Sequence, residues 1–293
     1  MADVGGSGVG SGVGSGGFGG RVAAAVSATG PLCAGIDPSS SLLADWRLTD
    51  DADGLLEFGI RCVDAFAGVV PVVKPQVAFF ERKGAAGLGA LETVIRRARE
   101  AGLLVIADAK RGDIGSTSAA YASAWLDPNS PLASDAMTAV AYMGLGALQP
   151  MIDVAADHGN GVIVVARSSN REGQALQAAT DAQGRSIADG LLADIAQRNA
   201  VAPGVIGAVI GATLEPSQFS LTGLGGPILA PGVGAQGGTA EDIAVLFKGC
   251  PPGSILPAVS RSVLAIGPDV VALRRAALEV RDEMEAALAG QES

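Results

Sequence analysis

The sequence predicts one (β/α)8 barrel, a fold of the α/β class, and three observations carry that prediction. Eight short apolar runs of strand length alternate with segments of helical periodicity between about residue 32 and residue 288. No long interruption divides them, as a doubly wound sheet with an added domain would require, and 293 residues with 48% hydrophobic content are enough for one large barrel core. Asp37, Lys74, Asp108, Lys110 and Arg167 stand where strands end, with Arg261 just past the eighth run. That rim is where such barrels hold their active sites, whereas idle surface charge would scatter over both ends.

Residues 5–20 are almost entirely Gly, Ser and Val with no periodic apolar face, so residues 1–20 are expected to be a disordered tail and 21–293 the barrel domain. A short helix over 22–26 leads to Pro31, and residues 32–36 form a buried strand that stops at Asp37-Pro38. Apolar residues at helical spacing mark a helix over 55–66, followed by a second strand over 69–75 with Lys74 at its exit. A helix over about 88–101 precedes the third strand, 103–107, and another over 116–125 follows it. Strands over 136–141, 161–166, 204–210, 227–230 and 254–259 then alternate with helices over 146–157, 186–199, 216–221, 239–247 and 268–288.

A formal net charge of −10 argues against nucleic acid or an anionic membrane surface as partner, since both call for a basic face. Cys33, Cys62 and Cys250 have no CxxC spacing, so they are expected to be reduced, buried thiols and neither a disulfide framework nor a zinc site. No apolar run reaches the roughly 18 residues of a spanning helix and no signal peptide is recognisable. The protein is therefore expected to be soluble and cytoplasmic. The single histidine, His158, stands before Gly159 and reads as a helix-end residue without catalytic work.

The charged stretch Asp108-Ala109-Lys110-Arg111-Gly112-Asp113 follows the third strand. On an extended backbone residues two apart share a face, so Asp108 and Lys110 point the same way, with Asp113 in the loop beyond. Flanking carboxylates favour the charged form of a lysine and would keep Lys110 an ammonium able to donate a proton. Spacing alone fits a solvated ion-pair cluster equally well; the barrel rim is the context that favours a catalytic centre. The seventh strand runs into a loop with Gly232, Gly234, Gln236, Gly237 and Gly238, and the eighth into Ser260-Arg261-Ser262. Loops after strands seven and eight often bind phosphate, and an arginine supplies a paired donor fork. GVGAQG also approaches a dinucleotide fingerprint, but it comes late in the chain and lacks the acidic residue expected about 20 positions on.

The stretch Asp108-Ala109-Lys110-Arg111-Gly112-Asp113-Ile114-Gly115-Ser116-Thr117, with Ala34-Gly35-Ile36-Asp37-Pro38, Val73-Lys74-Pro75, the residues 232–238 and Ser260-Arg261-Ser262, resembles the orotidine 5′-phosphate decarboxylase family, in its longer bacterial (type 2) branch. The resemblance covers nearly all the chain after the Gly-rich tail. It implies a homodimer of (β/α)8 barrels that converts orotidine 5′-phosphate (OMP) to uridine 5′-phosphate (UMP) and carbon dioxide in pyrimidine biosynthesis, with no metal and no organic cofactor. By the same resemblance Lys110 protonates C6 of the pyrimidine and Asp108 lies beside the leaving carboxylate. Asp113, Ile114 and Thr117 enter the partner subunit's site, Lys74 and Asp37 hold the ribose hydroxyls and the charge network, Ser169 or its neighbour Ser168 faces the pyrimidine, and Gln236 and Arg261 bind the phosphate. The chain departs from many relatives at Arg171 and at Ala141, where they carry proline.

Three other readings remain open on the sequence. They are a Mg²⁺-dependent phosphosugar enzyme of the same superfamily, similar to hexulose-6-phosphate synthase; an aldolase with Lys110 as Schiff-base nucleophile, which the flanking carboxylates oppose; and a silent barrel serving as scaffold.

Overall fold

The fold was obtained as a computed structural model, which describes residues 17–290; the expected disorder of residues 1–16 lies outside them. In chain order the elements are α1 (Phe18–Thr29), β1 (Cys33–Ile36), α2 (Ser40–Asp45), α3 (Ala52–Phe66), β2 (Val72–Pro75), α4 (Val77–Glu81), α5 (Gly84–Glu100), β3 (Leu104–Arg111), α6 (Gly115–Leu126), β4 (Ala136–Ala139) and α7 (Gln149–His158). There follow β5 (Gly161–Arg167), α8 (Arg171–Gln177), α9 (Ile187–Asn199), β6 (Ile206–Ile210), β7 (Ile228–Pro231), α10 (Ala240–Leu246), β8 (Ile255–Val259), α11 (Arg261–Leu264) and α12 (Val270–Ala289). The eight strands form one closed barrel in sequence order, every pair parallel, with β8 returning to β1. This is the (β/α)8 architecture the alternation predicts.

The strands are continuous apolar runs because both faces are covered: the inward face by the barrel filling, the outward face by helices. Cys33, Val72, Ile106, Ile163, Leu229 and Leu256 fill the interior. Side-chain caps start α3, α9 and α12, with Asp51 accepting the Gly54 N–H, Ser186 that of Asp189 and Asp269 that of Ala272. α7 ends on Gly159 in the left-handed conformation (φ 65°), with His158 in its last turn, as its sequence position implies.

One boundary is corrected. α1 begins at Phe18, inside the stretch expected to be tail (1–20), because Phe18 is fully buried and with Val22 closes the N-terminal end of the barrel. A Cβ added at Gly161 would lie 2.3 Å from the Phe18 ring, so β5 has glycine where the plug enters. Arg21 of the same helix donates to Asp135 Oδ1 at 2.5 Å, and the other oxygen of Asp135 accepts the Val105 N–H at 2.8 Å. A lone aromatic in a glycine-rich run gives no periodic signal, so the sequence alone does not mark Phe18 as part of the barrel.

The short helices α2, α4, α8 and α11 were not foreseen; each lies in a βα connection at the C-terminal rim. β3 is also longer than expected. It runs through Arg111, so the charged residues belong to the strand itself.

Candidate active site

Inward-facing positions on β3 alternate as Leu104, Ile106 and Asp108, which stacks a carboxylate directly above the apolar filling. The alternation then breaks. Ala107 pairs with Met137 and Arg111 with Ala139, so three residues of β3 oppose one of β4, and Lys110 takes a left-handed backbone with φ 47°. Such a bulge re-aims a side chain at a strand end. The Lys110 side chain, 49% exposed, stands at the mouth of the barrel and donates to Asp108 Oδ1 at 2.6 Å. The expectation that the two side chains share a face through regular extension is thus corrected: the contact forms through a bulge.

Asp108 is nearly buried and fully engaged. Its Oδ2 accepts from Lys74 Nζ at 2.9 Å, its Oδ1 also accepts from the Thr138 hydroxyl at 2.8 Å, and its carbonyl accepts from Gln76 Nε2 at 3.3 Å. Burial would push the Asp108 carboxyl up, but Lys74 and Lys110 outweigh it and hold it well below the usual carboxylate range. Burial likewise opposes the Lys74 ammonium, yet Asp108 and Asp37 prevail and raise it above its ordinary value. Below this layer the Cys33 thiol is pushed up to about 12, chiefly by burial, and stays protonated. Cys33, Cys62 and Cys250 are all free thiols.

At the end of β1, Asp37 Oδ2 accepts from the Ser260 hydroxyl at 2.5 Å. A Cβ at Gly35 would lie 2.8 Å from that of Ser260, so the glycine lets the β8 exit come this close. Asp37 Oδ1 is buried with no hydrogen-bond partner among the described residues, an acceptor open to a ligand hydroxyl. A cavity of about 350 Å³ opens over these groups, bounded by Asp37, Lys74 and Lys110 on one side and by Ser169, Gln236 and Arg261 on the other. Ser168 and Asn170 also line it. Ser169 donates to Gln236 Oε1 at 3.4 Å, which joins the loops after β5 and β7 across its top. Arg261 is exposed at the start of α11. The glycine loop itself is less of a cradle than its composition implies: the N–H groups of Gly234, Ala235, Gly237 and Gly238 all bond to carbonyls within the loop. The side chains that this end presents to the cavity are those of Gln236 and Arg261.

Seven of the ten residues singled out in the sequence therefore converge: Asp37, Lys74, Asp108, Lys110, Ser169, Gln236 and Arg261. The other three do not line the cavity. The Asp113 carboxylate accepts the Ile114 N–H at 2.8 Å, Ile114 is 60% exposed, and Thr117 is exposed on the first turn of α6. Lys110 thus has one carboxylate partner within the described chain where two were expected. Arg167 reaches the rim but is buried beneath α8, where its Nη1 donates to Gln177 Oε1 at 3.3 Å. Thr138, Gln76 and Ser260 were missed as site residues. Thr138 had one available signal, a hydroxyl within the otherwise apolar run 136–141. Among the described residues no group of three or more His, Cys, Asp or Glu side chains is arranged to hold a metal ion, and no helix is long and apolar enough to cross a membrane.

Comparison with known proteins agrees with this geometry. Residues 30–276 match the profile of the Orotidine 5'-phosphate decarboxylase / HUMPS family. The orotidine 5'-phosphate decarboxylase of Salinispora arenicola is 53% identical over 275 residues, covering 93% of this chain and 99% of that protein. That of Streptomyces coelicolor is 51% identical over 263 residues, covering 89% and 94%. The crystal structure of a Streptomyces avermitilis protein assigned the same activity superposes with a TM-score of 0.89 at 49% identity, covering 93% of this chain and 96% of that one. The OMP decarboxylase of Leishmania donovani superposes with a TM-score of 0.75 at 28% identity.

Proposed function

The chain belongs to the orotidine 5′-phosphate decarboxylase / HUMPS family and carries out its decarboxylase reaction, OMP to UMP and carbon dioxide, and we propose that Lys110 is the group that stabilises and then protonates the C6 carbanion. The observation that carries this reading is the Lys74–Asp108–Lys110 ion-pair chain across the floor of the cavity. In the proposed pose Gln236 and Arg261 take the phosphate, Asp37 and Lys74 the ribose hydroxyls, and Ser169 the pyrimidine edge. The C6–carboxylate bond then breaks heterolytically beside Asp108, carbon dioxide departs, and the electron pair stays on C6. Lys110 Nζ delivers the proton that forms the C6–H bond and is reprotonated from solvent.

The ring delocalises that electron pair poorly, so the catalyst must supply on the order of 20 kcal/mol, near the upper end of the enzymatic range. One ammonium about 4 Å from the carbanion contributes on the order of 4 kcal/mol at an effective dielectric near 20. Positioned charge therefore has to be joined by exclusion of water and by binding energy from the phosphate end.

The active unit in this reading is a homodimer, in which Asp113, Ile114 and Thr117 of one copy complete the cavity of the other. Support comes from an exposed apolar face of Ile114, Val140, Tyr142 (77% exposed) and Met143 on the adjoining loops after β3 and β4. A Cβ on Gly112 would lie 2.3 Å from the Val140 carbonyl, so these loops touch. Three free cysteines suit the reducing cytoplasm, to which we assign the protein.

The test is OMP turnover by the purified protein in excess EDTA, followed by loss of the substrate's ultraviolet absorbance. Rapid formation of UMP is expected. No conversion by folded, dimeric protein would overturn the assignment and redirect the search to phosphosugars with Mg²⁺.

A further inference from the structure

The bulge in β3 leaves two problems that one side chain answers. Lys110 holds a left-handed backbone, which is strained for a residue with a Cβ, and its N–H has no strand carbonyl opposite. Thr138, on β4, lies opposite the bulge and is 1% exposed. Its Oγ1 accepts the Lys110 N–H at 2.9 Å and donates its own proton to Asp108 Oδ1 at 2.8 Å. One hydroxyl therefore grips the strand at both ends of the Asp108–Lys110 step, by the carboxylate at one end and the main chain at the other. No other side chain among the described residues is bonded to the Lys110 backbone N–H.

We propose that Thr138 is a positioning residue for the decarboxylation, holding the bulge from which Lys110 reaches the reacting carbon. The inference rests on the role given to Lys110 above. Hydroxyl chemistry is specific here because the position needs an acceptor toward β3's main chain and a donor toward a carboxylate at once. Ser and Thr have both, whereas Ala and Val have neither. Thr138 is not part of the cavity lining that includes Gln236, Arg261 and Ser169, and it reaches the nucleotide-binding groups only indirectly, through the Asp108 carboxylate that it shares with Lys74.

The test compares Thr138→Val, nearly the same shape without the hydroxyl, with Thr138→Ser, which keeps it. The protein is the full-length chain, and the readouts are kcat and KM for OMP with UMP affinity measured separately. The expected result is a fall in kcat of about 10- to 100-fold in the Val chain, with KM and UMP affinity within about threefold of wild type, and recovery to within about threefold in the Ser chain. These correspond to about 1.4–2.7 kcal/mol of lost transition-state stabilisation. If the Val chain does not fold, Thr138→Ala removes the same hydroxyl without adding a contact and is read against the same thresholds. A folded Val or Ala chain with kcat within twofold of wild type overturns the proposal. So does a Ser chain as slow as the Val chain, or a loss of UMP affinity as large as the loss of kcat. Absence of turnover in the wild type would instead overturn the decarboxylase reading, and the two failures are thereby distinguished.

Discussion

Asp108→Asn keeps the shape of the central side chain and removes its charge, and the structure sets the size of the effect. The Lys110 side chain is half exposed, so its pair with Asp108 is screened by water and contributes under about 1 kcal/mol. Lys74 is different: its side chain is 9% exposed, and removing one partner of a buried pair costs about 3–5 kcal/mol. Asp37 also raises the Lys74 ammonium and survives the substitution, which favours the lower end, about 3 kcal/mol at pH 7. Urea unfolding followed by the fluorescence of the buried Trp46 and Trp125 measures it. The pH dependence has a definite sign. Asp108 is held below its ordinary range when folded, so its contribution is complete well above the unfolded carboxyl value near 3.9 and is lost as pH falls below it. Lys74 is raised, so its contribution is complete below its ordinary 10.5 and is lost as pH rises through the higher folded value. The stability gap between wild type and variant should be widest from about pH 5 to 9 and narrow by about 1 kcal/mol between pH 5 and pH 3. A gap under about 0.5 kcal/mol at pH 7, or one that does not narrow in acid, would refute the argument that this pair is desolvated and mutually dependent.

Three further outcomes are expected. Lys110→Ala should lower kcat by about 10³-fold or more while changing stability by no more than about 1 kcal/mol, because the lost side chain is the proposed proton donor and stands at a half-exposed position; near-normal turnover would remove Lys110 from the chemistry. Ile114→Asp places a charge on the exposed apolar face and should convert the proposed dimer to monomer in sedimentation while abolishing turnover; an active monomer would show that the cavity needs nothing from a second copy. Phe18→Ala should cost about 3–5 kcal/mol in unfolding experiments and leave kcat of the folded protein unchanged, since the ring fills the end of the barrel opposite the cavity.

The eight strands were legible in the sequence because burial on both faces demands continuous apolar runs, and the edges of those runs delivered Asp37, Lys74 and Asp108 to one rim. The Asp-x-Lys spacing was legible too, although the reason it works was not. Regular extension was the expected cause of the Asp108–Lys110 contact, whereas a bulge with φ 47° at Lys110 produces it. The proposed phosphate end differs from its sequence expectation in detail, since the glycine loop spends most of its amides on its own turn and presents the Gln236 and Arg261 side chains to the cavity.

What the sequence by itself determined is the order of strand and helix and the residue types at each strand's end, because periodicity and charge are local properties. Tertiary structure decided which of those residues meet. Lys74 reaches Asp108 across 34 positions and Ser260 reaches Asp37 across 223, through barrel closure alone. It also decided that Phe18 belongs to the core and that Thr138 supports Lys110. Neither residue carries a local signal strong enough to be read, since the worth of a lone ring or a lone hydroxyl depends on which group the folded chain places a few ångströms away.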